Sequence, residues 1–197
     1  MPSKKIKTPL RVDRYFHIYN RGNNKEKIFE KAEDYLHFMD LYLQIVQPYV
    51  NTYAYCFLPN HFHFLIKVDP EKAKSLDCLP SHLFRKFFQA YSIWFNKEKN
   101  RRGSLFTKYY RRIEITDDNY LKHVISYIHR NPVKHGISNN FGSYPFSSFK
   151  FYKDFNITWV SREETLAWFD KDLVYFLEFH HLFIEIPEIE GFIIDEI

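Results

Sequence analysis

The alternation of apolar and polar positions predicts a strand and a helix in the first part of the chain. The segment RYFHIYN, residues 14–20, is rich in aromatic and β-branched residues and stops at RGNN, which indicates a strand followed by a turn. Leu36, Met39, Leu43 and Val46 recur at helical spacing, with Tyr35 and Leu41 nearby. They predict a helix over residues 33–46, which Pro48 ends.

The middle of the chain predicts a hairpin, a long helix and a further strand. YVNTYAYCF and HFHFLIKV are two apolar strands that the short LPN segment can join as a hairpin. An amphipathic helix follows, with Pro80 and Ser81 at its start and an apolar face formed by Leu83, Phe87, Ala90 and Ile93/Trp94. It ends in the charged segment NKEKNRRG, after which KYYRRIEI predicts a fourth strand.

The last predicted helix begins after Thr116, which we expect to be its N-cap, and ends where Pro132 interrupts it. The element order is then β-α-β-β-α-β-α. Its first six elements predict an α+β, ferredoxin-like antiparallel sheet with two helices on one face, and the last helix is appended to that core. We expect such a sheet to keep its other face free.

Two histidines one residue apart lie in the apolar strand HFHFLIKV. Side chains in a strand alternate between faces, so Phe62 and Phe64 share the core face while His61 and His63 project together from the other. Two imidazoles at this separation can converge on one divalent ion. The alternative is a pair of polar residues on a half-exposed strand, because a metal site needs further ligands.

The last predicted helix places a phenol and an amide on one flank. Tyr127 and Asn131 are four residues apart and therefore neighbours, beside an apolar stripe of Leu121, Val124, Ile125 and Ile128. The pair could reach one site together. Alternatively, Tyr127 is an ordinary tyrosine at a helix edge, and Asn131 is a helix-ending residue before Pro132.

The apolar runs, the N-terminal segment and the cysteines all bear on where the protein is located. The chain has 197 residues, of which 20% are aromatic, enough for a sizeable core. No apolar run is long enough to cross a bilayer, and the N-terminus lacks the apolar segment of a signal peptide. The two cysteines form no metal-binding or redox motif. We expect a cytoplasmic protein.

The charge is strongly segregated along the chain, although the net charge is only +4. Residues 85–134 contain 12 Lys/Arg and 4 Asp/Glu, whereas residues 161–197 contain 2 and 10. A basic segment of this kind favours a polyanionic partner such as a nucleic acid. A solvated surface helix and loop would produce the same pattern.

Five ordered segments resemble a known family. RYFHIYNRGNNKEKIF, FLPNHFHFLIKV, NRRGSLFTKYYRRIEI, YLKHVISYIHRNPVKHGI and YPFSSFKFY are similar, in order and spacing, to segments of the single-tyrosine transposases of small insertion sequences. The resemblance is greatest to their REP-associated branch, within the HUH (His-hydrophobic-His) nucleases. It spans about residues 14–152, and residues 153–197 have no recognised counterpart.

The resemblance implies an activity and its residues. It implies that His61, His63 and Asn131 bind Mg²⁺ or Mn²⁺ and that Tyr127 is the nucleophile. The expected protein is an endonuclease and strand transferase for single-stranded or hairpin DNA that forms a 5′-phosphotyrosine, as a monomer or a homodimer. The main alternative is a domesticated relative that binds DNA or RNA hairpins without cutting them. Replication and conjugation initiators use the same chemistry but place their motifs differently.

Basic and aromatic residues around this predicted site are candidates for DNA contacts. Asn20 and Arg21 either contact base edges or form an ordinary turn. Tyr19, Tyr109 or Tyr110 could stack on bases. The candidates for phosphate contacts are Arg85, Lys86, Arg101, Arg102, Lys108, Arg111, Arg112, Arg130 and Lys134.

We divide the chain into a transposase domain, residues 1–152, and an acidic, aromatic extension, residues 153–197. In the extension, Ser161 and Glu164 have the spacing of a capping box at a helix start. The adjacent pair His180 and His181 is not expected to bind a metal, because neighbouring side chains point apart. One hypothesis is that the acidic extension folds over the basic segment as a DNA mimic, or contacts a second subunit.

Overall fold

The computed structural model describes residues 8–76, 78–154 and 158–182. The four strands are β1 (Tyr15–Arg21), β2 (Val50–Leu58), β3 (His61–Val68) and β4 (Arg111–Ile115). The α-helices are α1 (Ala32–Ile45), α2 (Pro70–Ala73), α3 (Pro80–Glu98), α4 (Asp118–Lys134), α5 (Lys150–Lys153), α6 (Arg162–Ala167) and α7 (Leu173–His181). Within these ranges no helix is both long and apolar enough to span a membrane.

The strands form one antiparallel sheet in the order β2-β3-β1-β4. Strands β2 and β3 form the predicted hairpin, whose turn is Pro59 and Asn60. Strand β1 lies between β3 and β4, and this register places Tyr19 opposite His63 on one side and Arg111 on the other. The prediction of an α+β, ferredoxin-like fold is confirmed.

Helices α1 and α3 cover one face of the sheet with aromatic rings. Phe62 contacts Phe38 of α1 and Phe88 of α3, with ring centroids 5.1 and 5.2 Å apart. Tyr42 stacks on Phe64 at 4.3 Å. The predicted apolar side of α1 is partly correct, because Val46 is buried and Met39 and Leu43 pack against the core.

Leu36 of α1 is 59% exposed, and Tyr35, Phe38 and Tyr42 are buried in its place. Ile93 of α3 was also assigned to the core and is 63% exposed. In both helices, larger rings next to the aliphatic residues bury more apolar surface than Leu or Ile would, and they determine which side faces the sheet.

The opposite face of the sheet is covered as well, so the expectation of a free face is wrong. His61 and His63 are only 4% and 1% exposed. The apolar stripe of α4, which includes Val124, Ile125 and Ile128, is buried as predicted. That stripe packs α4 onto the histidine side of the sheet, because an exposed apolar helix face would be unfavourable in water.

The ends of α4 differ from those predicted. Asp117, rather than Thr116, is the N-cap, and its carboxylate accepts a hydrogen bond from the Tyr120 amide. The helix continues through Pro132 to Lys134, His135 is its C-cap, and Gly136 follows with a φ of 64°. The amides of Gly136 and Ile137 donate to the carbonyls of Val133 and Pro132, which is the Schellman arrangement. Pro132 has no N–H to donate to the Ile128 carbonyl, and the bonds from Gly136 and Ile137 close the last turn after it.

The described part of the C-terminal extension packs against the sheet and against α4, which is the last part of the basic segment 85–134. Val160 pairs with Thr52 of β2, and α7 contacts α4. Ser161 precedes α6 but makes no capping hydrogen bond, so the predicted capping box is wrong. Glu164 instead accepts hydrogen bonds from the hydroxyls of Tyr15 and Tyr53 on the sheet. The most acidic part of the extension, residues 183–197, lies outside the described residues.

A chain of buried hydrogen bonds joins α7 to α4. His180 Nδ1 donates to the carbonyl of Phe176, and His180 Nε2 accepts from His129 Nδ1 at 2.8 Å. His129 Nε2 in turn accepts from the Ser148 hydroxyl at 2.8 Å. Burial lowers the pKa of His180 to about 3 and that of His129 well below its usual value, so both imidazoles are neutral at pH 7.

We expect His180→Ala to lower the free energy of unfolding by about 2 to 4 kcal/mol, because it leaves a cavity and an unsatisfied His129 N–H. Chemical denaturation measures this change. The matched control is His181→Ala, which removes the exposed neighbour. Equal stabilities of the two variants would contradict the structural role of the His129–His180 pair.

Candidate active site

Three histidines lie together on the sheet beneath α4. His61 Nδ1 donates to Asn60 Oδ1 at 2.7 Å, which leaves the lone pair of the neutral ring on Nε2. His63 Nδ1 lies 2.9 Å from Nε2 of His17, a residue of β1. Each of the two β3 imidazoles is therefore held in place through its Nδ1 atom, and their rings are 5.2 Å apart.

One side of helix α4 packs against these histidines. The Tyr127 ring is edge-on to His63 at 5.5 Å between centroids, and the His135 ring is 4.7 Å from His61. Asn131 is buried and lies on the same side of the helix, one turn after Tyr127 and one turn before His135. The structure thus brings together the four residues predicted from the sequence: His61, His63, Tyr127 and Asn131.

Two buried polar atoms at this site have no hydrogen-bond partner among the described residues: His63 Nε2 and Asn131 Oδ1. The Asn131 amide nitrogen donates to the Tyr127 carbonyl at 2.8 Å, which directs Oδ1 away from the helix backbone. Leaving such atoms unsatisfied is unfavourable in a protein interior. Imidazole nitrogens and an amide oxygen suit a divalent cation, so the residues present fit the implied metal.

The electrostatic environment keeps the imidazoles of His17 and His63 neutral. Burial lowers the pKa of His17 to about 3. Burial also holds the pKa of His63 well below its usual value, with smaller contributions from the neighbouring histidines and Lys134. The Lys134 ammonium lies 5.5 Å from the centre of the Tyr127 ring. A neutral imidazole retains the lone pair that metal binding requires.

His17 is a residue of this site that the sequence analysis did not identify. Alternation in β1 places His17 on the same face as Tyr15, Tyr19 and Arg21, and β1 is the neighbour of β3 in a ferredoxin-like sheet. These two facts together would have indicated it. His135 was also missed, although it lies one helical turn after Asn131.

Several predicted DNA-contact residues are engaged within the protein. Arg101 bridges Glu26 and Asn96, and Arg130 donates to the carbonyl of Leu182 at the end of α7. Asn20 is buried and hydrogen-bonds with Thr107. Tyr19 is buried beside His63, so it is not on the surface for base stacking.

Other predicted DNA-contact residues lie at or near the surface. Arg85, Lys108 and Arg112 line one pocket together with Asn20, Tyr109 and Tyr110. The remaining basic candidates are exposed or half-buried outside that pocket: Arg21, Lys86, Arg102, Arg111 and Lys134. Their contacts with DNA remain predictions.

Comparisons with known proteins agree on one family. The sequence model of the family described as "Transposase IS200 like" matches residues 11–131. A Haemophilus influenzae protein named "Putative REP-associated tyrosine transposase" is 30% identical over 123 residues, which cover 59% of this chain and 69% of that protein.

A solved structure shares the fold. It is a REP-associated tyrosine transposase bound to a REP hairpin, with a TM-score of 0.57 and 19% identity over 77% of this chain and 85% of the other. At that identity the likeness concerns the fold alone. From the match over residues 11–131 and the relative from H. influenzae, we conclude that the chain belongs to the IS200-like transposase family, in its REP-associated tyrosine transposase branch.

Proposed function

We propose that this transposase is a metal-dependent endonuclease and strand transferase that acts on single-stranded DNA next to a hairpin. The observation that carries the proposal is the position of the Tyr127 ring against His63, beside the unsatisfied His63 Nε2 and Asn131 Oδ1. A phenol and a set of cation ligands share one buried site. The hairpin partner is supported by the related structure, which is bound to a REP hairpin.

In the proposed reaction, the Tyr127 oxygen attacks the scissile phosphorus. A bond forms between this oxygen and phosphorus, and the bond from phosphorus to the 3′ oxygen breaks. The phenolic proton is lost and the departing 3′ oxygen gains one, so the products are a 5′-phosphotyrosine and a free 3′-OH. One phosphodiester replaces another, which permits rejoining to a different 3′-OH.

His61, His63 and Asn131 would hold Mg²⁺ or Mn²⁺. When bound, such a cation polarises the scissile phosphate as a Lewis acid and orients it. The residues around the ligands position them: Asn60 fixes the His61 ring, and the Tyr127 carbonyl fixes the Asn131 amide. The free phenol has a pKa near 10, so removal of its proton must be assisted at the site.

The test is to incubate the protein with labelled hairpin DNA that carries an unpaired flank, with and without Mg²⁺ or Mn²⁺. A denaturing gel then separates protein that carries the label covalently. We expect an adduct only when the metal is present. A protein that binds hairpins without cutting them would shift the DNA in a native gel and form no adduct, and that result would overturn the proposal.

His17 should tune the metal site without touching the metal. For His63 Nε2 to offer a lone pair, Nδ1 must carry the proton and donate it to His17 Nε2. We expect His17→Leu to weaken Mn²⁺ binding by about 10- to 100-fold, measured by calorimetry without DNA.

The conservative variant His17→Gln separates positioning from packing. The glutamine amide oxygen can still accept a hydrogen bond from His63 Nδ1, so this variant should retain most of the affinity for Mn²⁺. If His17→Leu binds Mn²⁺ as tightly as the wild type does, the positioning role is wrong.

A further inference from the structure

A pocket lies on the face of the sheet opposite to the proposed catalytic residues. Its volume is about 560 Å³, within the range of small-molecule sites, and it lies between α3 and the segment 103–112. From α3 it is lined by His82, Arg85, Gln89 and Ser92, which form one stripe of the helix at intervals of three and four residues.

The segment that closes the pocket is fixed to β1. The Asn20 side chain accepts a hydrogen bond from the Thr107 hydroxyl at 2.5 Å and donates to the Thr107 carbonyl. The Thr107 amide donates to the carbonyl of Arg21, and Gly22 pairs with Phe106. These contacts within the protein hold the segment in place beside α3.

The lining combines cations with aromatic rings. It contains Arg85, Lys108 and Arg112 and, among the described residues that form it, no Asp or Glu. Tyr109 is 55% exposed at this pocket, with the Lys108 ammonium 5.5 Å from the centre of its ring. The Arg112 guanidinium lies 5.1 Å from the centre of the Tyr110 ring.

This chemistry suits one kind of ligand. Cations match phosphate oxygens, and an exposed aromatic ring provides a stacking surface for a base. The amide of Gln89 and the hydroxyls of Ser81 and Ser104 can additionally contact base edges. A base inside a duplex is already stacked and paired, so an unpaired nucleotide fits best.

The pocket and the proposed catalytic residues lie on opposite faces of the sheet, at the same end of it. Asn20 lines the pocket, whereas the preceding residue, Tyr19, points to the other face and lies opposite His63. Strand β4 is an edge strand, so a DNA chain can pass around it and contact both faces. We infer that this pocket binds an unpaired nucleotide of the DNA flank, through Arg85, Lys108 and Tyr109, while the flank extends to Tyr127. This inference rests on the proposed function.

The test measures binding alone. The full-length protein is titrated with a blunt hairpin, the same hairpin with unpaired flanks, and a flanked hairpin whose flank is abasic, all in EDTA. Because no metal is present, the result does not depend on cleavage, and a failure here is distinct from a failure to form the adduct. Variants are Arg85→Ala/Lys108→Ala and Tyr109→Ala, with Lys97→Ala as the control for charge on the same helix.

We expect Arg85→Ala/Lys108→Ala to weaken binding of both flanked probes by about 10-fold or more and to leave the blunt hairpin unchanged. It should also reduce the dependence on salt concentration. Tyr109→Ala should weaken binding of the flanked hairpin by about 5-fold or more and not that of the abasic probe, which offers no base to stack.

Three outcomes would overturn the inference. The first is an equal loss on blunt and flanked hairpins in the double variant, which would indicate general electrostatic attraction. The second is no loss on any probe. The third is a loss in Lys97→Ala as large and as probe-dependent as that in the double variant, because Lys97 is exposed on α3 but does not line the pocket.

Discussion

Tyr127→Phe is expected to abolish the covalent protein–DNA adduct, with a loss of at least about 1,000-fold in the rate of its formation. The substitution removes one oxygen atom, which is the proposed nucleophile, and retains the ring that contacts His63 and His17. The measurement is the yield of labelled protein on a denaturing gel, after incubation with flanked hairpin DNA and Mg²⁺ or Mn²⁺.

Binding distinguishes a lost nucleophile from a lost fold in this variant. We expect Tyr127→Phe to bind the hairpin and Mn²⁺ with affinities close to those of the wild type. Tyr120→Phe, a change in the first turn of the same helix, is the matched control and should form the adduct normally. An adduct in Tyr127→Phe would mean that another residue attacks the phosphate.

His63→Ala is expected to eliminate the effect of metal on the protein. A ligand that binds only the folded state stabilises it, by about 2.7 kcal/mol at 100 times its Kd. Mn²⁺ should therefore raise the unfolding temperature of the wild type and leave that of His63→Ala unchanged. We expect the adduct to disappear in the same variant.

Stability without metal provides a second readout for His63→Ala. The buried Nε2 has no hydrogen-bond partner among the described residues, so its removal should cost less stability than truncation of a satisfied buried histidine such as His129. The control is His123→Ala, one turn before Tyr127 on α4, which should retain the response to Mn²⁺. A normal Mn²⁺ response in His63→Ala would exclude His63 as a ligand.

The sheet and the faces on which the four candidate site residues lie could be predicted because they depend on local periodicity. Strand alternation separated His61 and His63 from Phe62 and Phe64, and helical spacing paired Tyr127 with Asn131. Both patterns repeat within a few residues, so the chain itself specifies them. The resemblance to the family then indicated which polar residues to choose.

The remaining features depend on contacts between segments that are distant in sequence. Periodicity gave α1 an apolar side but did not show that Tyr35 and Phe38 would displace Leu36, because that outcome depends on the shape of the sheet surface. His17 required the register of β1 against β3. The covering of the second sheet face required the docking of α4, which no local pattern contains.

The contacts of α7 with α4 determine how far the chain can be shortened from its C-terminus. Two residues between Tyr127 and Asn131 hydrogen-bond with α7 and its C-cap. His129 bonds with His180, and Arg130 donates to the carbonyl of Leu182. The last turns of the helix that carries Tyr127, the proposed nucleophile, are thus held in place by residues more than fifty positions further along the chain. A fragment that ends at Tyr152 would lack these contacts. The side chains of Tyr127 and Asn131 would then no longer be held in fixed positions.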